Sequence, residues 1–302
     1  MNGIHVSASV REALEGRKAV VALESTILAH GMPYPRNLET ARAVEADVRA
    51  AGAVPVTIAV LDGTIRIGLE SAELERVATE PHMLKLSRSD LAYAIAGGHD
   101  GATTVAATML CAHRAGIAVF ATGGIGGVHY GVANTMDISA DLFELARTPV
   151  LVVCAGAKAI LDIPKTLELL ETLGVPTVVY RSDEFPAFWS RRSDRPAPLR
   201  CDDPAAIAAI FRAARTLEMG TGMLVGNPID AAVEIPYDAM TNIIERAVRE
   251  ADDLGVRGKA LTPWLLDRIH ALTQGRSLEA NVALVRSNAK LAAAIAHELL
   301  VG

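Results

Sequence analysis

The chain has 302 residues, 51% hydrophobic and 21% charged, so it has the apolar content for a substantial core and is not a disordered chain. Its net charge is -6, its basic residues are scattered and aromatics are only 4%, which argues against a nucleic-acid surface built from a basic stripe and stacking rings. No apolar run reaches the ~18 residues of a membrane helix, no signal core opens the chain, and Cys111, Cys154 and Cys201 form no CxxC pair; a cytoplasmic protein without disulfides, membrane or nucleic-acid partners is expected.

Short β-branched runs alternate with amphipathic stretches. The first strand, AVVALEST, ends on Glu24, Ser25 and Thr26. A carboxylate directly after a buried strand serves either acid–base chemistry or a helix cap or ion pair. A helix over 37–51 and the strand VPVTIAVLDG follow. Lys85, in HMLKLSRSDL, precedes the glycine-rich AGGHDGATTVAATM. There Thr103, Thr104 and the start of a helix over 103–115 offer a phosphate site, which Lys85 either joins or leaves as a surface lysine.

The strand GIAVFATGG runs into ATGGIGGVHYG, four glycines within five positions. Such a loop either turns its N–H groups toward an anion, with His129 adding charge, or is simply a tight turn; without a following GK[ST] it is no Walker A loop. In NTMDISADLFEL, Asp137 and Asp141 are four apart with Ser139 between them. Helical spacing would put both carboxylates on one face, as a hard-cation pair for Mg²⁺ or Mn²⁺ or as a solvated helix start. The strand TPVLVVCAGA leads to Lys158. A poorly solvated amine there can attack a carbonyl, unless it reaches solvent or pairs with Asp162 four residues on.

Helices over 165–173 and 204–216 and the strands VPTVVYRS and MGTGMLVGNP continue the alternation. Residues 182–204, with four prolines and three aromatics, form an irregular excursion suited to a lid or interface rather than a domain boundary. From 237 onward the pattern is helical. The expectation is a single three-layer α/β/α domain over 1–302, with a large, mostly parallel sheet and a helical C-terminal third. Ligands in open α/β sheets sit beyond the carboxyl ends of the strands, where Glu24, the glycine loop and Lys158 fall.

In this order, LESTILAHGMPYPRN, KLSRSDL, GGHDGATTVAATM, FATGGIGGVH, MDISADL, AGAKAILDI and VGNPI resemble the pseudouridine-5'-phosphate glycosidase family, also called indigoidine-synthase-A-like. The similarity spans about residues 23–288 and includes TPWLL and SLEANVALVRSNAKLAAAIA. The resemblance implies reversible cleavage of the C–C glycosidic bond of pseudouridine 5'-phosphate to uracil and ribose 5-phosphate, with a divalent metal, typically Mn²⁺, in a homotrimer. It implies Lys158 as the amine that forms a Schiff base with ribose C1', Glu24 as general acid and Asp137 at the metal. Substrate contacts would come from Lys85, Val105, Ser139, Ala140 and Asp141, with His129 near phosphate and Asn281 facing the base. Where the family pattern AGxKS has serine, this chain has Ala159. Alternatives are a relative acting on another C-nucleotide or sugar phosphate, a sugar or nucleoside kinase, which would leave Lys158 without a role, and a non-catalytic binding protein.

Overall fold

The apolar runs become strands of one eleven-stranded sheet in the computed structural model, which describes residues 3–256 and 261–301. The strands are β1 (Ile4–Val6), β2 (Val20–Leu23), β3 (Val54–Leu61), β4 (Thr64–Ile67), β5 (Leu84–Leu86), β6 (Gly101–Thr103), β7 (Val119–Ala121), β8 (Leu151–Cys154), β9 (Thr177–Tyr180), β10 (Leu199–Cys201) and β11 (Met223–Gly226). Their order is β1-β4-β3-β2-β7-β8-β11-β9-β10, with β5 and β6 attached through β3. All pairings are parallel except β3 with β4 and β3 with β6. This is the large, mostly parallel mixed sheet that the apolar runs predict.

β2, β3, β7, β8, β9 and β11 are the six expected strands. β1, β4, β5 and β10 contain exposed or half-buried residues and β6 is Gly-Ala-Thr, so none of the five carries the unbroken apolar run that announces a strand. The expected helix over 103–115 starts later, at Val105–Arg114, because Thr103 belongs to β6. The C-terminal third is helical as expected, in Tyr237–Asp253, Leu261–Leu272 and Arg276–Glu298. TPWLL falls in the second of these, where the side chains of Thr262 and Pro263 lie outside the described residues.

From β2 the chain crosses to β3 on one side, and after β6 it returns to β7 on the other side of β2. Arg36–Ala50 links the parallel strands β2 and β3, while Val105–Arg114 packs against β2, β3, β4 and β6 and against the helix Ala140–Leu145. The helix Arg276–Glu298 packs beside Arg36–Ala50 and against β2, β7 and β8. Its buried face is rich in alanine (Ala280, Ala289, Ala292, Ala293, Ala296), which lets its backbone lie close to the strands. The reversal of strand order between β2 and β7 is a topological switch point, the place where open α/β sheets form a crevice.

A second device opens that crevice. β3 pairs with β2 along its first half, up to Leu23↔Thr57, and with β4 and β6 along its second. Where β2 leaves, the buried Ser25 hydroxyl takes its place, donating to the Ile58 carbonyl (2.6 Å) and accepting from the Thr103 N–H (2.9 Å). Glu24 sits at this parting of strands.

The 182–204 excursion is irregular until β10, but it is not a loose lid. Phe185, Phe188 and Trp189 are buried in the core, and the Phe188 N–H donates to the Ala155 carbonyl (3.0 Å) beside the Lys158 loop.

Candidate active site

Glu24, Lys85, Val105, His129, Ser139, Asp141, Lys158 and Asn281 all line one cleft of about 230 Å³ at the switch point. Far apart along the chain, they are brought together by the carboxyl ends of the strands. Ala140 is not among the lining residues: it is the exposed first residue of the helix Ala140–Leu145. Asp137 is half-buried and lies off the wall, with its carbonyl accepting the His129 N–H (3.0 Å).

Glu24 is half-buried, and the Thr122 hydroxyl at the end of β7 and the Thr26 hydroxyl donate one to each of its carboxylate oxygens. Thr122 is held in turn from below. The fully buried Asn288 donates its amide to the Thr122 carbonyl (2.8 Å) and accepts from Asn227 (3.0 Å) of the VGNPI segment. Nothing in local spacing marked Thr122 or Asn288, whose partners lie 98 and 166 positions away.

The backbone of Lys158 is fixed by its N–H to the Ile125 carbonyl (3.0 Å) and by its carbonyl, which accepts from Leu161 (3.0 Å). The alternative partner Asp162 is committed elsewhere: it caps Ile163–Thr172 through the Lys165 N–H (3.1 Å) and forms an ion pair with the Lys165 ammonium. Among the described residues no carboxylate pairs with Lys158. Ala159 lines a separate cavity of about 340 Å³, with Tyr130, Tyr237 and Met240, and not the cleft. The departure from the family pattern therefore faces away from the site. Cys154, beneath the lysine, is wholly buried, and burial pushes its thiol up to about 12, so it is an inert packing residue.

The glycine loop and the helix at Val105 differ from a simple anion nest. Asp141, buried, accepts from the N–H of Ala106 (2.9 Å) in the first turn of Val105–Arg114 and from the N–H of Gly126 (2.8 Å). A carboxylate of the chain thus already occupies the helix start. Thr103 is spent too, donating to the Ile58 carbonyl (2.7 Å) in the core. A side chain at Gly126 would collide with the Ser139 hydroxyl, so that glycine serves close approach. Asp141→Ala would orphan the buried Ala106 N–H and the half-buried Gly126 N–H; about 2–4 kcal/mol of stability should be lost in urea unfolding. Asp141→Asn, which sets an amide donor against one of them, should lose part of that.

The expected Asp137–Asp141 pair on one helical face does not form. The helix begins only at Ala140, Met136 is left-handed (φ 53°), and Ile138 bridges to Val128, so the two carboxylates diverge. Among the described residues no group of three or more His, Cys, Asp or Glu is placed to hold a metal. The donor set fits a hard cation held by one carboxylate and otherwise by water, which Mg²⁺ and Mn²⁺ accept, and does not fit a closed cage.

His129 does not bring charge to the cleft. Burial holds its imidazole below the usual histidine range, Asp137 opposes this, and Lys158 and Lys85 add to the lowering, so it is neutral at pH 7. The ammonium groups in the lining are those of Lys85 and Lys158, set against the carboxyl groups of Glu24 and Asp141. The cleft has a polar end, where Gly126 meets Ser139 and Asp141, and an apolar end, where Gly123 meets Leu284 and Phe188. Phe188 and His30 line it as well; neither position stood out in the sequence.

An open α/β sheet with a half-apolar cleft at its switch point, holding a clamped carboxylate and a lysine that no carboxylate pairs among the described residues, defines a class: a small-molecule site equipped for amine and acid–base chemistry. Within that class, the chain belongs to the family described as indigoidine synthase A like protein, whose model matches residues 9–298. A pseudouridine-5'-phosphate glycosidase of Methylobacterium nodulans is 62% identical over 290 residues, spanning 96% of this chain and 86% of the relative. One of Paracoccus denitrificans is 60% identical, spanning 97% of each. Among solved structures, the prealnumycin C-glycosynthase AlnA in complex with ribulose 5-phosphate superposes with a TM-score of 0.93 at 38% identity, over 100% of this chain and 98% of that one. An indigoidine synthase A-like protein of Thermotoga maritima superposes with a TM-score of 0.90 at 35% identity, over 98% and 96%. Among the described residues no helix is long and apolar enough to cross a membrane.

Proposed function

We propose that this protein reversibly cleaves the C–C glycosidic bond of pseudouridine 5'-phosphate to uracil and ribose 5-phosphate through a covalent bond between Lys158 and ribose C1'. The observation that carries the reading is the meeting of Lys158, without a carboxylate partner, and the clamped Glu24 in one cleft. Full-length relatives bearing that activity in their names support it.

A C–C glycosidic bond has no heteroatom leaving group, so two carboxylates alone do not suffice. Glu24 donates a proton to the ribose ring oxygen as the C1'–O4' bond opens, and the Lys158 amine bonds to C1'. With the proton that the lysine nitrogen loses on bonding to C1' passed to C5 of the base, the C1'–C5 pair returns to the uracil ring while the freed nitrogen lone pair forms the C1'=N iminium. Water then hydrolyses the iminium, freeing ribose 5-phosphate and the amine. Lys85 supplies charge for the phosphate, with the neutral His129 as a hydrogen-bonding neighbour. Asp137 is the residue that would hold a divalent cation such as Mn²⁺, which when bound would supply positive charge and ordered water.

The test is synthesis. Uracil, ribose 5-phosphate and Mn²⁺ should yield pseudouridine 5'-phosphate, and borohydride should leave a pentose phosphate on Lys158, located by peptide mass spectrometry. An adduct on another residue, or no product, overturns the reading; full activity after exhaustive chelation overturns the metal assignment. The assembly we infer is a homotrimer, to be read by sedimentation. The exposed Tyr130 and Met136 near the site support an interface there.

A further inference from the structure

The 182–204 excursion has no role in the chemistry above, yet it delivers one side chain to the rear of the cleft wall. Trp189 is buried, and its indole N–H donates to Oδ1 of Asn281 (2.6 Å) and to the Ser277 carbonyl (3.1 Å). An indole N–H can only donate, so it accepts one orientation of the Asn281 amide, with oxygen toward Trp189. The flipped amide would set N–H against N–H. The amide assignment here is therefore dictated by its partner's chemistry.

The consequence lies on the other side of Asn281. This residue lines the cleft, and among the described residues no protein acceptor takes its Nδ2. Its neighbours Leu284 and Phe188 make the apolar end, where a flat ring belongs and a phosphate does not. Trp189 is itself immobile: its ring packs edge-on against Phe188 (centroids 5.0 Å, 69°), its carbonyl accepts from Ile235 (2.9 Å), and Ser190 next to it donates to the Ile235 carbonyl (2.6 Å).

We propose that Trp189 is a positioning residue that locks the Asn281 amide with its N–H₂ toward the cleft, so that the site selects a heterocycle presenting a carbonyl acceptor and rejects one presenting an amino group at that edge. The proposal rests on the function argued above and adds to it the origin of base selectivity. A site built to hydrogen-bond one group rejects the analogue that leaves its donors unpaired.

The experiment compares uracil with cytosine and isocytosine, each bearing an amino group in place of one carbonyl, as partners of ribose 5-phosphate. Comparing the selectivity ratio of a variant with that of wild type cancels the bases' intrinsic reactivities. Trp189→Phe keeps a ring in place but frees the amide to turn. It should raise the KM for uracil about tenfold and shrink the preference for uracil by a similar factor, while borohydride trapping of ribose 5-phosphate on Lys158 is unchanged. A merely structural role would lower both steps together. Asn281→Asp keeps an acceptor for the indole and turns only the cleft-facing group from donor to acceptor. It should raise the uracil KM by roughly 100-fold, the loss expected from a mismatched polar contact. Should Trp189→Phe fail to fold, Asn281→Asp decides: an unaltered uracil KM overturns the proposal. A wild type that forms no product with uracil overturns the function and the proposal with it. Product formation with unchanged selectivity in both variants overturns the proposal alone.

Discussion

Lys158→Ala should lower turnover of pseudouridine 5'-phosphate by at least about 10⁴-fold, the scale of losing a group that forms the covalent intermediate. The loss should be chemical and not structural. The turn that carries Lys158 is made by backbone bonds to Ile125 and Leu161, which the substitution leaves in place. With no carboxylate paired to it, removing the ammonium orphans no buried charge, so unfolding free energy should move by no more than about 0.5 kcal/mol. Lys158→Arg should be as inactive as alanine, because a guanidinium stays protonated and does not form the iminium. Both variants should lose the borohydride-trapped adduct. Steady-state kinetics with either variant near the wild-type rate would exclude the covalent mechanism.

Glu24→Gln should cost about 10²–10⁴-fold in kcat, the usual contribution of a positioned general acid. Glutamine matches glutamate in size, and the rotatable hydroxyls of Thr26 and Thr122 can both donate and accept, so its amide should be held where the carboxyl was. What it lacks is a proton to give. Ribose 5-phosphate in its open aldehyde form needs no ring opening, so Glu24→Gln should still be trapped on Lys158 by borohydride. The pair of variants thus separates the steps: Lys158→Ala removes trapping and turnover together, whereas Glu24→Gln slows turnover and leaves trapping. Loss of trapping in Glu24→Gln would show that the carboxylate serves the lysine and not the ring oxygen. The clamp gives a milder expectation of the same kind, since Thr122 depends on Asn288 to hold its carbonyl.

Several of these residues are legible in the amino-acid sequence, and for one reason. Buried strands flanked by polar residues carry their own signature, because a parallel sheet covered on both faces needs unbroken apolar runs. The side chains at their carboxyl ends, Glu24 after β2 and Lys158 after β8, are then placed by the architecture alone. The same locality explains what misleads. Asp137 and Asp141 look like a pair if the chain between them is helical. A bridge from Ile138 to Val128, which no periodic pattern announces, keeps it otherwise. Glycines at 123–127 look like an anion nest, but Asp141 already holds the Gly126 N–H, and the room the glycines leave goes to Ser139 and Phe188.

The amino-acid sequence by itself determined the layered α/β class, the six main strands and the placing of Glu24 and Lys158 at strand ends, since each rests on a pattern local to one short stretch of chain. Tertiary structure alone decided the partners. Thr122 reaches Glu24 across 98 positions, Asn288 reaches Thr122 across 166, and Trp189 orients Asn281 across 92. Hydrogen bonds between strands and helices so far apart leave no local period, because what joins their ends is the order of strands at the switch point and not the spacing of residues along the chain.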